Sequence, residues 1–123
     1  MIDLTNTAEV VELLNRAVAE KGADYEYPRA GGECFYFEPD GTPSCLIGNV
    51  LAQKGVKLED FVVIEDGQPW DLNSGESVFS LDAYGFIKTT GETQDILTRA
   101  QRMQDDGYSW GEALDLATMG VDY

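Results

Sequence analysis

The first third of the chain has apolar residues at helical spacing. From Val10 to Val18 they recur every three to four positions, and Gly22 follows the last of them. Asn6 and Glu9 stand three residues apart, which is the spacing of a capping box. The pattern therefore predicts a helix that begins after Asn6, ends at Gly22 and buries one apolar stripe.

The C-terminal third predicts two more helices. Apolar spacing, a hydroxyl cap and a terminal glycine mark both Thr90–Gly107 and Ser109–Gly120. Because the link between them is short, they should pack together as a helical hairpin. Met103 and Leu114 are expected to meet the first helix.

The strongest strand pattern lies in the middle of the chain. The aromatic run CFYFE at positions 34–38 is followed by a Pro-Asp-Gly turn. Aromatic residues favour strands, so an antiparallel β-hairpin is expected around Phe35–Phe37. A bulge at Gly41 would pair Glu38 with Thr42.

The region between that turn and the C-terminal helices is less regular. Leu46 to Gly55 has helical spacing, with Ser44 as its expected cap. The run VKLEDFVVIEDGQPW is compatible with a short helix or a strand, and a helix is preferred at its start. A further short helix is expected after Asn73, with Val78, Phe79 and Leu81 facing inward.

These elements predict an α+β fold: one domain over residues 1–123, mostly helical, with one small antiparallel β-hairpin. A chain of 123 residues is long enough to bury a core without the help of a disulfide.

Charge is the unusual property of the composition. The chain has 23 acidic residues, 8 basic residues and no histidine, which gives a net charge of −15. Direct nucleic-acid binding is therefore not expected, because no basic run exists to neutralise phosphates. From Leu58 to Ile87 there are seven acids and no base. This acidic span is either a solvated surface or a patch for a basic protein partner.

No stretch resembles a transmembrane span or a secretory signal. The expected location is the cytoplasm, where thiols stay reduced, and membrane binding is not expected. Nothing in the sequence indicates the oligomeric state.

The two cysteines leave three alternatives open. Cys45 is expected at the first helical position, where the helix dipole would lower its pKa and could make it reactive with Cys34 as its resolving partner. A hairpin register slipped by one residue would instead oppose the two thiols and allow a disulfide. Two structural, reduced thiols are the preferred interpretation.

Catalytic and metal-binding chemistry finds little support. Without histidine the usual nucleophile–base triads are absent, and two cysteines leave a zinc site short of ligands. No catalytic residue, metal or cofactor is therefore predicted, and a non-enzymatic function is favoured over an enzyme.

Two stretches, GTPSCLIGNVLAQKGV and AQRMQDDGYSWGEAL, follow a tyrosine-containing ADYEYP segment. In this order they resemble small uncharacterised proteins of actinobacteria and of the phages that infect them. The resemblance implies a small intracellular protein, with a phage origin as one alternative, and it implies no catalytic residue.

The sequence thus predicts a small acidic binding protein or modulator that engages a basic protein partner. Mimicry of nucleic acid by carboxylates is one version of this function. A thiol-dependent enzyme or redox sensor that uses Cys45 with Cys34 is the alternative. Trp70 is the expected apolar anchor of the interface. The acids expected around it are Glu59, Asp60, Glu65, Asp66 and Asp71.

Overall fold

A computed structural model describes residues 2–28, 35–73 and 77–121. Within these ranges the chain forms five α-helices, one 3-10 helix and four short strands. The elements in chain order are β1 (Ile2–Leu4), α1 (Thr7–Lys21), α2 (Leu46–Gln53), the 3-10 helix (Leu58–Phe61), β2 (Val62–Glu65), β3 (Gln68–Asp71), α3 (Val78–Ala83), β4 (Ile87–Thr89), α4 (Gly91–Asp105) and α5 (Trp110–Thr118). The predicted α+β class with mostly helical content is confirmed.

The long helices begin where the sequence predicts. The side chains of Asn6, Thr90 and Ser109 each accept a hydrogen bond from the backbone N–H three residues later, at the starts of α1, α4 and α5. Such bonds satisfy backbone donors that have no partner inside the helix. Here local capping and apolar spacing agree, so the predicted helix starts are confirmed.

The core lies among the four larger helices. α4 packs along α5, α1 packs against α2, and α5 also contacts α1. Trp110 is completely buried at the start of α5, and Leu114 one turn later is 6% exposed. The ring of Trp110 meets Tyr25 edge-on, with 4.8 Å between the ring centroids.

The strands form two separate pairs. β1 and β4 are parallel, with Ile2 opposite Ile87, while β2 and β3 form an antiparallel hairpin. The prediction of a single antiparallel hairpin around Phe35–Phe37 is therefore wrong. That segment has the predicted register, since the Glu38 N–H donates to the Thr42 carbonyl at 2.8 Å, but only an isolated bridge joins Phe37 to Pro43.

Packing explains why no regular strand forms there. Tyr36 and Phe37 are buried against the ring of Phe61, which stacks on Tyr36 with 5.6 Å between the ring centroids. The Ser44 N–H donates to the Tyr36 carbonyl at 2.9 Å, but the Tyr36 N–H, which would complete this bonded pair, donates to the Asn73 carbonyl instead. Tyr36 and Phe37 thus fill part of the core.

Three local expectations also need correction. Cys45, not Ser44, is the cap of α2, because the Ser44 hydroxyl bonds to Glu38 and Tyr27. α3 is capped by Ser77, since Asn73 is engaged elsewhere, and Phe79 is exposed.

One glycine brings α2 against the aromatic run. A Cβ built on Gly48 would stand 1.9 Å from the backbone oxygen of Tyr36. Only glycine permits this approach, which fixes the position of the 35–39 loop. In the described ranges, none of the helices has the length and apolar character needed to cross a membrane.

Candidate functional site

The candidate site is an open groove between the 35–39 loop and the base of the β2–β3 hairpin. Its volume is about 580 Å³. The apolar side chains of the lining are Phe35, Phe37, Pro39, Leu58 and Val62. The polar ones are Glu38, Glu59, Asp71 and Asn73.

The 35–39 loop forms one wall of the groove, here called the loop wall. Hydrogen bonds around Gly41, whose φ is 90°, hold the turn that follows it. The Asp40 carboxylate accepts bonds from the hydroxyl and the backbone N–H of Thr42, at 2.6 and 3.0 Å. The hydroxyl bond first, and the backbone bond next, lower the pKa of Asp40 below its ordinary value. The loop beside the groove therefore keeps its acid ionised.

Asn73 joins the loop wall to the end of the hairpin. Its side chain accepts a bond from the Phe37 N–H at 2.8 Å and donates one to the Phe37 carbonyl at 3.0 Å. Its own carbonyl accepts from the Tyr36 N–H at 3.2 Å. Asn73 is buried, with 8% of its surface exposed, and its bonds hold the backbone of the 35–39 loop in place, as the bonds from a neighbouring strand would.

The hairpin forms the opposite wall and reverses in two residues. Asp66 and Gly67 both have positive φ, 51° and 75°, as a tight Asp-Gly hairpin turn requires. In the register, Val62 lies opposite Asp71 at the base, next to the groove. Val62 is 51% exposed and Ile64 is 71% exposed.

The groove is acidic as well as apolar. Glu38, Glu59 and Asp71 contribute carboxylates, and no described residue of the lining is basic. The Glu38 carboxylate accepts a bond of 2.8 Å from the Ser44 hydroxyl, and the Asp71 carboxylate accepts one of the same length from the Asn73 N–H. The ion pairs of the described ranges lie elsewhere, one within α1 and one between α1 and Lys54, the residue that follows α2. A cationic group entering the groove would therefore meet carboxylates with no described cation among them.

The structure brings some of the predicted interface acids together. Glu59 and Asp71 line the groove. Asp60 is exposed and accepts a bond from the Lys57 N–H at 2.9 Å, which caps the 3-10 helix. Asp66 lies at the hairpin turn, away from the groove lining.

Two predicted positions are known from their backbone alone. Glu65 ends β2, and Trp70 pairs with Val63 across the hairpin. Their side chains lie outside the described part of the structure. The role of Trp70 as an anchor stays a prediction.

The predicted thiol site has a different environment from the groove. Cys45 is completely buried at the start of α2, where its sulfur accepts a bond from the Gly48 N–H at 3.4 Å. Cys34 lies outside the described residues, so neither a disulfide nor its absence is shown. Across ranges 2–28, 35–73 and 77–121, no three cysteine, aspartate or glutamate residues are placed to hold a metal ion.

Sequence reasoning did not identify any of the five apolar residues of the groove, and it missed two of the polar ones, Glu38 and Asn73. The sequence contains a pattern that could have identified Glu38, because the Pro-Asp-Gly turn places it at the end of the aromatic run. No such pattern exists for Asn73, since its partner Phe37 is far away in the sequence. Both belong to the groove through tertiary packing.

Neither protein-family models, nor curated proteins, nor solved structures match this chain at a significant level. The function is therefore inferred from the groove itself.

Proposed function

We propose that this chain is a non-enzymatic, acidic binding protein of the cytoplasm whose groove takes a basic segment of a partner protein. The observation that carries the proposal is the juxtaposition of apolar and acidic groups. Phe35, Leu58 and Val62 lie beside the carboxylates of Glu38, Glu59 and Asp71 in one groove.

The two kinds of group have separate roles in this proposal. Carboxylates attract a basic segment over a distance and raise the association rate, but salt screens this attraction. Apolar side chains that lose water on binding slow dissociation and select the segment. A lysine or arginine next to an apolar residue fits both parts of the groove.

Two other functions have weaker support. Mimicry of nucleic acid needs carboxylates spaced like phosphates, and the apolar lining favours a protein segment instead. The thiol-dependent alternative needs Cys45 to meet a substrate, and Cys45 is completely buried.

A biological setting follows from the resemblance to small proteins of actinobacteria and their phages. If the chain is phage-encoded, a host regulatory or defence protein is the natural basic partner.

Fluorescence anisotropy with labelled peptides tests the proposal. The probes are a heptapeptide of alternating lysine and valine, one with glutamate in place of lysine, and one with glycine in place of valine. The lysine–valine peptide should bind, and the other two should bind at least about tenfold more weakly. Equal binding of the glutamate peptide would contradict the proposal.

A set of charge variants locates the interaction. Glu38→Gln, Glu59→Gln and Asp71→Asn together should weaken binding of the lysine–valine peptide about tenfold. The amide groups keep the acceptor oxygens that Glu38 and Asp71 use.

The control removes the same charge from exposed acids of α1, α4 and α5. It combines Glu20→Gln, Asp95→Asn and Asp115→Asn. Binding should stay within about threefold of wild type, because exposed charges far from a ligand are screened. An equal loss in both triple variants would show that net charge, not the groove, attracts the peptide.

A further inference from the structure

The backbone groups on the two edges of the β2–β3 hairpin can be assigned from its register. The Leu72 N–H donates to the Phe61 carbonyl at 2.9 Å, which makes 61 and 72 a hydrogen-bonded pair. Such pairs alternate with non-bonded pairs along an antiparallel ladder. The pairs 62 with 71 and 64 with 69 are therefore non-bonded, and their backbone groups point outward from the hairpin.

The β3 edge is already closed. At one end, Pro69 has no N–H to offer another strand. At the other end, the Asn73 carbonyl accepts a bond from the Tyr36 N–H. The Asn73 side chain bonds to both the N–H and the carbonyl of Phe37. An added strand would find no continuous row of partners on this side.

The β2 edge is open in the described part of the structure. There β2 pairs with β3 alone, and its outward positions are Val62 and Ile64. Both side chains are mostly exposed, and neither proline nor lysine blunts the edge. An unprotected edge of this kind is a ready template for pairing with another strand.

We propose that the β2 edge binds an extended basic segment of the partner by strand addition. This inference rests on the proposed function and adds to it the backbone geometry of binding. Val62 belongs to both surfaces, since it lines the groove and is an outward position of β2. A segment added to β2 would therefore run directly beside the groove.

Charge identifies the occupant of the edge. Glu59 and Asp60 precede β2 and Asp66 follows it, all three exposed, so acids stand at both ends of the strand. A second copy of this chain would bring these acids together on a protein of net charge −15, and like charges across an interface oppose pairing. A segment that alternates lysine or arginine with apolar residues would match both the acids and the exposed Val62 and Ile64.

N-methylated peptides test strand addition directly. The probe is the lysine–valine heptapeptide, with methyl groups on the valine amides in one form and on the lysine amides in another. In an added strand, every second N–H faces the protein. One methylated form should lose at least about tenfold in affinity, and the other should stay within about threefold of the parent. A peptide held by its side chains alone would respond alike to both modifications.

Two variants at one position make the same test on the protein. Ile64→Pro removes an outward N–H without removing a bond of the hairpin ladder, whereas Ile64→Thr keeps that N–H. We expect Ile64→Pro to lose at least about tenfold in peptide affinity and Ile64→Thr to lose less than about threefold. Circular dichroism and thermal unfolding check that both variants fold. If Ile64→Pro does not fold, the methylated peptides alone test strand addition.

The outcomes separate this inference from the proposed function. If the parent peptide binds but both methylated forms, and both Ile64 variants, behave alike, strand addition is wrong and the groove proposal stands. If the parent peptide does not bind wild-type protein, both proposals fail. If sedimentation shows a dimer that Ile64→Pro dissociates, the edge pairs with a second copy and the basic-segment assignment is overturned.

Discussion

The side-chain oxygen of Gln104, in the last turn of α4, accepts a hydrogen bond of 2.7 Å from the backbone N–H of Leu46, the first residue of α2. Gln104 is completely buried. The Leu46 N–H has no partner inside its own helix, so a distant side chain completes its capping. This bond ties the C-terminal helices to the helix that supports the 35–39 loop.

Gln104→Met should therefore destabilise the protein. Methionine has nearly the same size but only a weak sulfur acceptor in place of the amide oxygen, so the buried Leu46 N–H would lose its strong hydrogen bond, at about 1–3 kcal/mol. Thermal or urea unfolding measures the effect. Gln94→Met, a partly exposed position on the same helix, should change stability by less than about 0.5 kcal/mol. Equal stability of the two variants would show that the bond contributes nothing.

Gly48→Ala should lower the stability of the protein more than a substitution on the surface does. The new methyl group would stand 1.9 Å from the Tyr36 oxygen, so α2 and the loop would have to separate. We expect a loss of at least about 3 kcal/mol in unfolding free energy, or failure to fold.

Gly91→Ala is the matched control for that variant. Gly91 is the first residue of α4, and a Cβ there would meet nothing within 4 Å. Alanine is the better helix former, so this variant should be unchanged or stabilised by up to about 1 kcal/mol. A Gly48→Ala protein as stable as Gly91→Ala would contradict the close approach.

Local signals explain what the sequence could predict of the fold. Asn6, Thr90 and Ser109 act within their own helices, so capping and spacing suffice to place α1, α4 and α5. The pairing of Ile2 with Ile87 joins very short strands far apart in the chain and leaves no local pattern. Tyr36 and Phe37 favour a strand by residue type, yet aromatic residues also favour burial, and here burial against Phe61 decides.

The candidate site, too, could be predicted from the sequence only in part. The acidic span was visible in the sequence, and two of its members, Glu59 and Asp71, line the groove. Glu38 and Asn73 come from segments that meet in the folded chain alone. Composition could therefore indicate the character of the surface, while its shape depends on contacts between distant residues.

Asp105 should make stability depend on pH. Burial raises the pKa of its carboxyl above the ordinary value, against the opposing bond from Gln104. The folded state thus holds this proton more tightly than the unfolded chain. Stability from this group is present at low pH and is lost as the pH rises from about 4, the ordinary value for aspartate, through the raised pKa.

Asp105→Asn removes that unfavourable ionisation and can still accept the Gln104 bond. The variant should be more stable than wild type at neutral pH, and the difference in stability between the two should become smaller as the pH falls toward 4. Thermal unfolding across this range measures the difference. Asp95→Asn removes the same charge from an exposed site on the same helix. If both variants respond alike to pH, burial of Asp105 has no effect on stability.

Binding kinetics should distinguish the role of the acidic residues of the hairpin from the role predicted for Trp70 as an apolar anchor. Neutralising Glu65, Asp66 and Asp71 as amides should mainly slow association of the lysine–valine peptide and flatten its salt dependence, because charge acts before contact. Trp70→Ala should mainly speed dissociation, since a large apolar side chain acts once water has been excluded. Surface plasmon resonance at several salt concentrations measures both rates. If neither variant differs from wild type, the acidic span is a solvated surface and the binding segment contacts another part of the protein.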